Sequence, residues 1–65
     1  MEYNYNKLWK MLIDRNMNKK VLAEISGISG ATLARMKHNK PITMDVLVKL
    51  CGALNCSIDD IIEIG

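Results

Sequence analysis

A chain of 65 residues with nine Lys and Arg against seven Asp and Glu is one small domain of net charge +2. A chain near 60 residues buries only about 60% of its unfolded surface, which leaves little room for a catalytic pocket, while a hydrophobic fraction of 49% argues against disorder. Residues 1–40 hold eight basic side chains against three acids and residues 41–65 hold Lys49 against four acids, a polarity that suits one face toward a polyanion.

The first apolar stripe is Tyr5, Leu8, Trp9, Leu12 and Ile13, at the 3–4 spacing of one helical face. Asn4 or Asn6 caps its start, and the helix is expected to stop near Arg15–Asn16. Asn18 caps a second helix, Lys19 to Ser26, with Leu22 and Ile25 inward. Gly27 then fits a left-handed residue at a helix end. Ser29 caps a third helix from Gly30 to about His38, with Leu33 and Met36 inward and Arg35, Lys37 and His38 more outward. Asn39-Lys40-Pro41 breaks it, because proline biases the preceding residue away from helical geometry.

Thr43 caps a fourth helix, with Asp45 in its favourable first turn and a stripe of Leu47, Leu50, Cys51 and Leu54 ending at Asn55. Ser57-Ile58-Asp59-Asp60 reads as a capping-box start for a short fifth helix carrying Ile58, Ile61 and Ile62. No stretch of four or more residues alternates cleanly, so no sheet is expected. Trp9, Tyr5 and the methionines are read as core, and Cys51 as a small buried hydrophobe. The expectation is five helices in one all-α domain spanning residues 1–65.

Two helices joined by a short turn and crossing steeply need particular residues at set offsets. Ala23 supplies the small residue at the crossing, and Gly27 supplies the turn. Ile28 plugs the corner, and Leu33 and Met36 bury the second helix against the first. A helix-turn-helix over about residues 19–38 is therefore expected.

With these residues in place the chain resembles the Cro/CI-type (XRE) helix-turn-helix family of DNA-binding regulators. The resemblance runs from Leu8 to Ile62 and rests on Leu22-Ala23, Gly27-Ile28-Ser29, Leu33-Ala34-Arg35-Met36 and the tail from Leu47 to Ile61. It implies a five-helix lambda-repressor-like domain that binds double-stranded DNA as a transcription regulator of repressor type. The third helix would enter the major groove with its N-terminal residues toward base edges. Ser29, Gly30, Ala31, Thr32 and Arg35 occupy the positions where this family reads DNA. Lys19 matches a phosphate anchor, and Asn39, Lys40, Thr43 and the backbone near Met44 match a clamp on the other side. Helix N-termini favour phosphate for physical reasons as well. His38, at a helix end, would add a pH-dependent cation beside a phosphate.

Two departures from the family pattern stand out. Lys20 and Val21 replace polar or acidic residues. Gly30-Ala31 stands where long amides or charged side chains are common, so neither residue hydrogen-bonds a base through its side chain. Ala31 can contact a thymine methyl and Gly30 can admit close backbone approach. Direct readout then rests on Thr32 and Arg35, with DNA shape contributing.

Cys51, Cys56 and the single His38 form no metal-ligand spacing, and no nucleophile–base set is present. Neither a cofactor, a metal nor a small-molecule substrate is expected. No apolar run approaches the ~20 residues of a membrane span, and Met1–Asn6 lacks a signal-peptide layout, so a cytoplasmic location without membrane contact is expected. A homodimer on DNA is the expected working form, paired through the fourth and fifth helices, which are acidic overall and bear Val46, Val48, Ile62 and Ile64. The alternative is a protein-interaction module, such as an antitoxin or repressor partner, using Val46, Val48 and Ile64 as a surface.

Overall fold

The computed structural model describes residues 2–64, so the outermost positions of the single-domain assignment, 1 and 65, lie outside the described residues. In chain order these residues form β1 (Tyr3–Asn4), α1 (Asn6–Asp14), α2 (Lys19–Ser26), α3 (Gly30–Lys37), α4 (Met44–Leu54), a single 3-10 turn (Ile58–Asp60) and β2 (Glu63–Ile64).

Three helix starts are built from side chains that the sequence marks. Asn18, Ser29 and Thr43 each hold extended backbone, and each accepts a hydrogen bond from the N–H three residues on: Val21, Thr32 and Val46. Each cap satisfies a donor with no partner inside its helix. The first helix differs. Tyr5 is its cap and contributes no side-chain bond, while Asn4 Oδ1 accepts from the Asn6 N–H at 3.0 Å.

The helix ends share one device, a left-handed residue just beyond the last turn. It is Asn16 after α1 (φ 55°), Gly27 after α2 (φ 74°), Asn39 after α3 (φ 56°) and Asn55 after α4 (φ 53°). Glycine and asparagine are the residues that tolerate this conformation. Within the expected Asn39-Lys40-Pro41 breaker it is Asn39 that turns the chain, since α3 ends at Lys37, four residues before the proline.

Eleven residues form the core: Tyr5, Leu8, Leu12, Leu22, Ile28, Leu33, Met36, Leu47, Leu50, Leu54 and Ile61. Ile28 is buried in the turn between α2 and α3, as the corner plug requires. Helix α2 packs on both α3 and α4, and α4 packs on the 3-10 turn. Every buried side-chain nitrogen or oxygen among the described residues has a hydrogen-bond partner.

The structure corrects the expected architecture in two ways. There are four α-helices among the described residues, not five, because the Ser57 segment closes only a three-residue 3-10 turn. Asp60 Oδ2 accepts from both the N–H and the hydroxyl of Ser57, at 3.0 and 3.1 Å, which stabilises that first turn. The chain then leaves helical geometry so that Glu63 and Ile64 pair antiparallel with Asn4 and Tyr3. The absence of a sheet was thus also a wrong expectation; two-residue strands are too short to show alternation.

Several side chains expected inside are outside. Ile13 is 74% and Ile25 49% exposed. Met44 is exposed, and Trp9, Met11, Met17 and Cys51 are half-buried against the core. On α2 the inner face is completed by Ser26, whose hydroxyl donates to the Leu22 carbonyl. This i−4 back-bond satisfies the buried Ser26 hydroxyl.

Candidate nucleic-acid interface

Helix α2, the Gly27–Ser29 turn and α3 form the helix-turn-helix. At the start of α3 the Ser29 hydroxyl accepts from the Thr32 N–H at 3.1 Å and lies 3.0 Å from the Thr32 hydroxyl. These two hydroxyls are tied to each other, so Thr32 presents its side chain in a fixed orientation. Ser29, Gly30 and Ala31 are exposed, and Thr32 is half-buried. A Cβ added at Gly30 would meet nothing within 4 Å. The fold therefore has no steric need for glycine there.

The carboxyl end of α3 and the segment after it form a second part of the site. Arg35 and Lys37 lie in the last turn of α3, where positive charge complements the helix dipole. Arg35 is exposed, and its Nη2 donates to the Pro41 carbonyl at 2.8 Å. The Lys40 N–H donates back to the Arg35 carbonyl at 2.9 Å. From the core side, the buried Tyr5 hydroxyl donates to the Lys40 carbonyl, also at 2.8 Å. Thr32, Arg35 and Thr43 line one open cleft of about 250 Å³ with Pro41, Ile42 and Val46. The structure thus brings Ser29, Thr32, Arg35, Lys40 and Thr43 into one continuous surface region.

His38 caps the end of α3, and Asn39 follows it in left-handed geometry; both are exposed. Lys19 stands apart from that cleft. Its Nζ lies 4.8 Å from the Trp9 ring centroid, a cation–π distance, and it borders a separate apolar groove with Leu12, Ile13, Met17 and Asn18. The ring thereby holds the ammonium near the start of α2 while leaving it accessible.

Burial holds the Tyr5 phenol above its ordinary value of 10.0, with the neighbouring Tyr3 adding to the effect and the Arg35 charge opposing it. At neutral pH Tyr5 is therefore a hydrogen-bond donor. Burial likewise raises the Cys56 thiol, with adjacent Cys51 and Asp60 contributing and Arg15 opposing. Cys56 donates its N–H to the Cys51 carbonyl at 3.1 Å around left-handed Asn55. That is the closing bond of a Schellman helix end, in which the two flanking side chains meet as a small hydrophobic contact. Among the described residues no group of three or more His, Cys, Asp or Glu could hold a metal ion, and no helix is long and apolar enough to cross a membrane.

Sequence reasoning missed the side chain that braces this region, Tyr5, and two that brace the end of α4 and the 3-10 turn. Tyr5 reads as core, and nothing in its spacing reveals a hydroxyl aimed at residue 40. Arg15 and Lys7 read as solvated charges. Arg15 Nη1 instead donates to the Leu54 carbonyl at 2.7 Å, capping the end of α4, and Lys7 Nζ reaches the Asp59 carbonyl at 3.3 Å.

The family model of the Cro/C1-type HTH DNA-binding domain matches residues 7–64. The chain is also similar to a crystal structure of the transcriptional regulator VanUg, at 47% identity and a TM-score of 0.90, covering 95% of this chain and 83% of that one. No curated protein matches the chain.

Proposed function

The chain belongs to the Cro/C1-type HTH DNA-binding domain family, and from that premise we propose that it is a sequence-specific, duplex-binding transcription regulator of repressor type, working as a homodimer. The amino end of α3 enters the major groove. Ala31 and Thr32 meet base edges there, and Gly30 brings backbone close. Arg35 uses the guanidinium N–H groups that Pro41 leaves free. Lys19, His38, Asn39, Lys40, Thr43 and the first N–H groups of α4 near Met44 hold the flanking phosphates.

The observation that carries this reading is the joining of the capped, exposed amino end of α3 to the Arg35–Pro41 and Thr43 region across one cleft. A base-reading helix tip and a phosphate-facing helix start then lie side by side, and the similarity to the transcriptional regulator VanUg supports the regulatory role. Small apolar and hydroxyl side chains at the tip give modest base discrimination, so part of the specificity comes from DNA shape.

The test is selection from a pool of random duplexes at physiological salt, followed by titration of the recovered site across salt concentrations. The affinity is expected to fall steeply, with log K declining by about 0.9 per log unit of salt for each phosphate neutralised. A flat salt response rules the reading out. The exposed Val48 and Ile64 favour a second reading, a protein-interaction module such as an antitoxin or repressor partner. A chain that selects no duplex yet retains a protein partner would be that module.

A further inference from the structure

The segment from Asn39 to Ile42 carries much of the proposed phosphate clamp and has little secondary structure of its own. Asn39 holds a left-handed φ of 56°, and Pro41 offers no N–H. Two backbone bonds tie the segment to α3: Asn39 N–H to the Met36 carbonyl at 3.0 Å, and Lys40 N–H to the Arg35 carbonyl at 2.9 Å. Consecutive carbonyls are then taken by side chains from opposite sides. The Lys40 carbonyl accepts from Tyr5, 35 residues earlier in the chain, and the Pro41 carbonyl accepts from Arg35.

Tyr5 is well suited to hold such a segment still. Its ring is only 1% exposed and packs in the core, with Tyr3 edge-on at a centroid distance of 6.0 Å. Its backbone caps α1, accepting from the N–H groups of Leu8 and Trp9 at 3.0 and 3.2 Å. A hydroxyl fixed at both ring and backbone makes a rigid arm. For packing alone a phenylalanine would serve as well, so the hydroxyl's work is the one bond it makes.

We propose that the Tyr5 hydroxyl is a positioning group for DNA binding: it fixes the Lys40–Pro41 peptide, so that Lys40 is presented to phosphate without an ordering cost at the moment of binding. This rests on the duplex-binding reading above. Tyr5 itself touches no DNA. It acts through Lys40, and preorganisation of this kind shows as affinity because less freedom is lost on association.

The experiment compares wild type, Tyr5→Phe, Lys40→Ala and the double variant on the duplex recovered from the random pool and on an unrelated duplex. Tyr5→Phe is expected to keep its helix content and to weaken both duplexes by about three- to tenfold, the equivalent of one net hydrogen bond. Its salt dependence should be shallower. In the Lys40→Ala background the same change should have almost no effect, because interacting residues are non-additive. Hydrogen exchange on the free protein should show the Asn39 and Lys40 amides opening faster while the Leu8 and Leu50 amides stay protected. Tyr5→Phe that binds as tightly as wild type with the same salt slope overturns the proposal, and so does an additive double variant. A Tyr5→Phe chain that no longer folds overturns it too, since the hydroxyl would then serve the fold. Wild type that binds no duplex sinks the proposed function itself, and the exchange measurement still reports whether the tether exists.

Discussion

Gly30, like Gly52 within α4, is a residue whose identity the free fold leaves unexplained. It begins α3, a Cβ there would meet nothing within 4 Å, and its φ is not positive. Glycine in a helix costs up to about 1 kcal/mol relative to alanine, so Gly30→Ala should raise the denaturation midpoint slightly. If the glycine exists to let backbone approach a groove, the same variant should lose duplex affinity while gaining stability. Parallel melting and binding titrations check this. A variant that gains stability and binds unchanged would remove Gly30 from the interface. Arg35 raises the opposite problem, having two jobs at once. Its bond to the Pro41 carbonyl means that an alanine there disturbs the clamp as well as any base contact, so its effect on affinity is not a measure of base readout alone.

Helix boundaries were the most legible feature of the sequence, because caps are short-range chemistry. Asn18, Ser29 and Thr43 bond to an N–H three residues away, and Gly27 and Asn55 end their helices in left-handed geometry. The candidate interface was legible to the same extent: its helix tip and its Thr43 start follow from caps, whereas the Tyr5–Lys40 bond spans 35 residues and leaves no periodic signal. The last element failed for a related reason. A capping box announces a helix start and says nothing about length, so the segment stopped after one 3-10 turn to reach β1. Ile13 and Ile25 fit the apolar spacing, yet a small domain has too little interior to take every apolar residue offered.

Two predictions belong to these elements. At Gly27, φ is +74° and a Cβ would meet nothing within 4 Å, so substitution costs backbone strain without a clash. Gly27→Ala should destabilise by about 1–2 kcal/mol, and Gly27→Val by more, with α3 misplaced and DNA binding lost. Gly27→Asn should be nearly neutral, as asparagine fills the equivalent position after α1, α3 and α4. Urea midpoints for the three variants give the ranking, and equal effects would mean the turn is not what constrains residue 27. The second concerns Asp60, whose carboxyl is held below its ordinary value of 3.8, first by the Ser57 N–H and then by the Ser57 hydroxyl. A lowered folded value means that its stabilisation is present above pH 3.8 and fades as pH falls through the folded value. Asp60→Ala should therefore be less stable than wild type at neutral pH, with the gap closing in acid. A gap that stays constant to low pH would show that the turn does not depend on the charge.

At the scale of the whole molecule, the question is how so small a reading surface achieves useful affinity. One α3 tip of Ser29-Gly30-Ala31-Thr32 offers few base contacts, and pairing two copies makes the second engagement effectively intramolecular. The surface available for pairing is narrower than the sequence suggests. Val46 and Ile62 are half-buried against the core, while Val48 is 61% and Ile64 64% exposed. Pairing would therefore use the outer face of α4 with β2, in place of two helices, and a stable interface needs roughly 800 Å² per partner from a total surface of 4360 Å². The expected target is a near-palindrome with half-sites about one helical turn, ~34 Å, apart. Val48→Asp should leave the fold intact, halve the mass on the duplex and shrink the footprint to one half-site, because an aspartate facing its two-fold mate is both desolvated and repelled. Footprinting with sedimentation of the bound complex decides it. A single wild-type copy on an asymmetric site of half that length would refute the dimer, as would a Val48→Asp variant that still binds in pairs through this face.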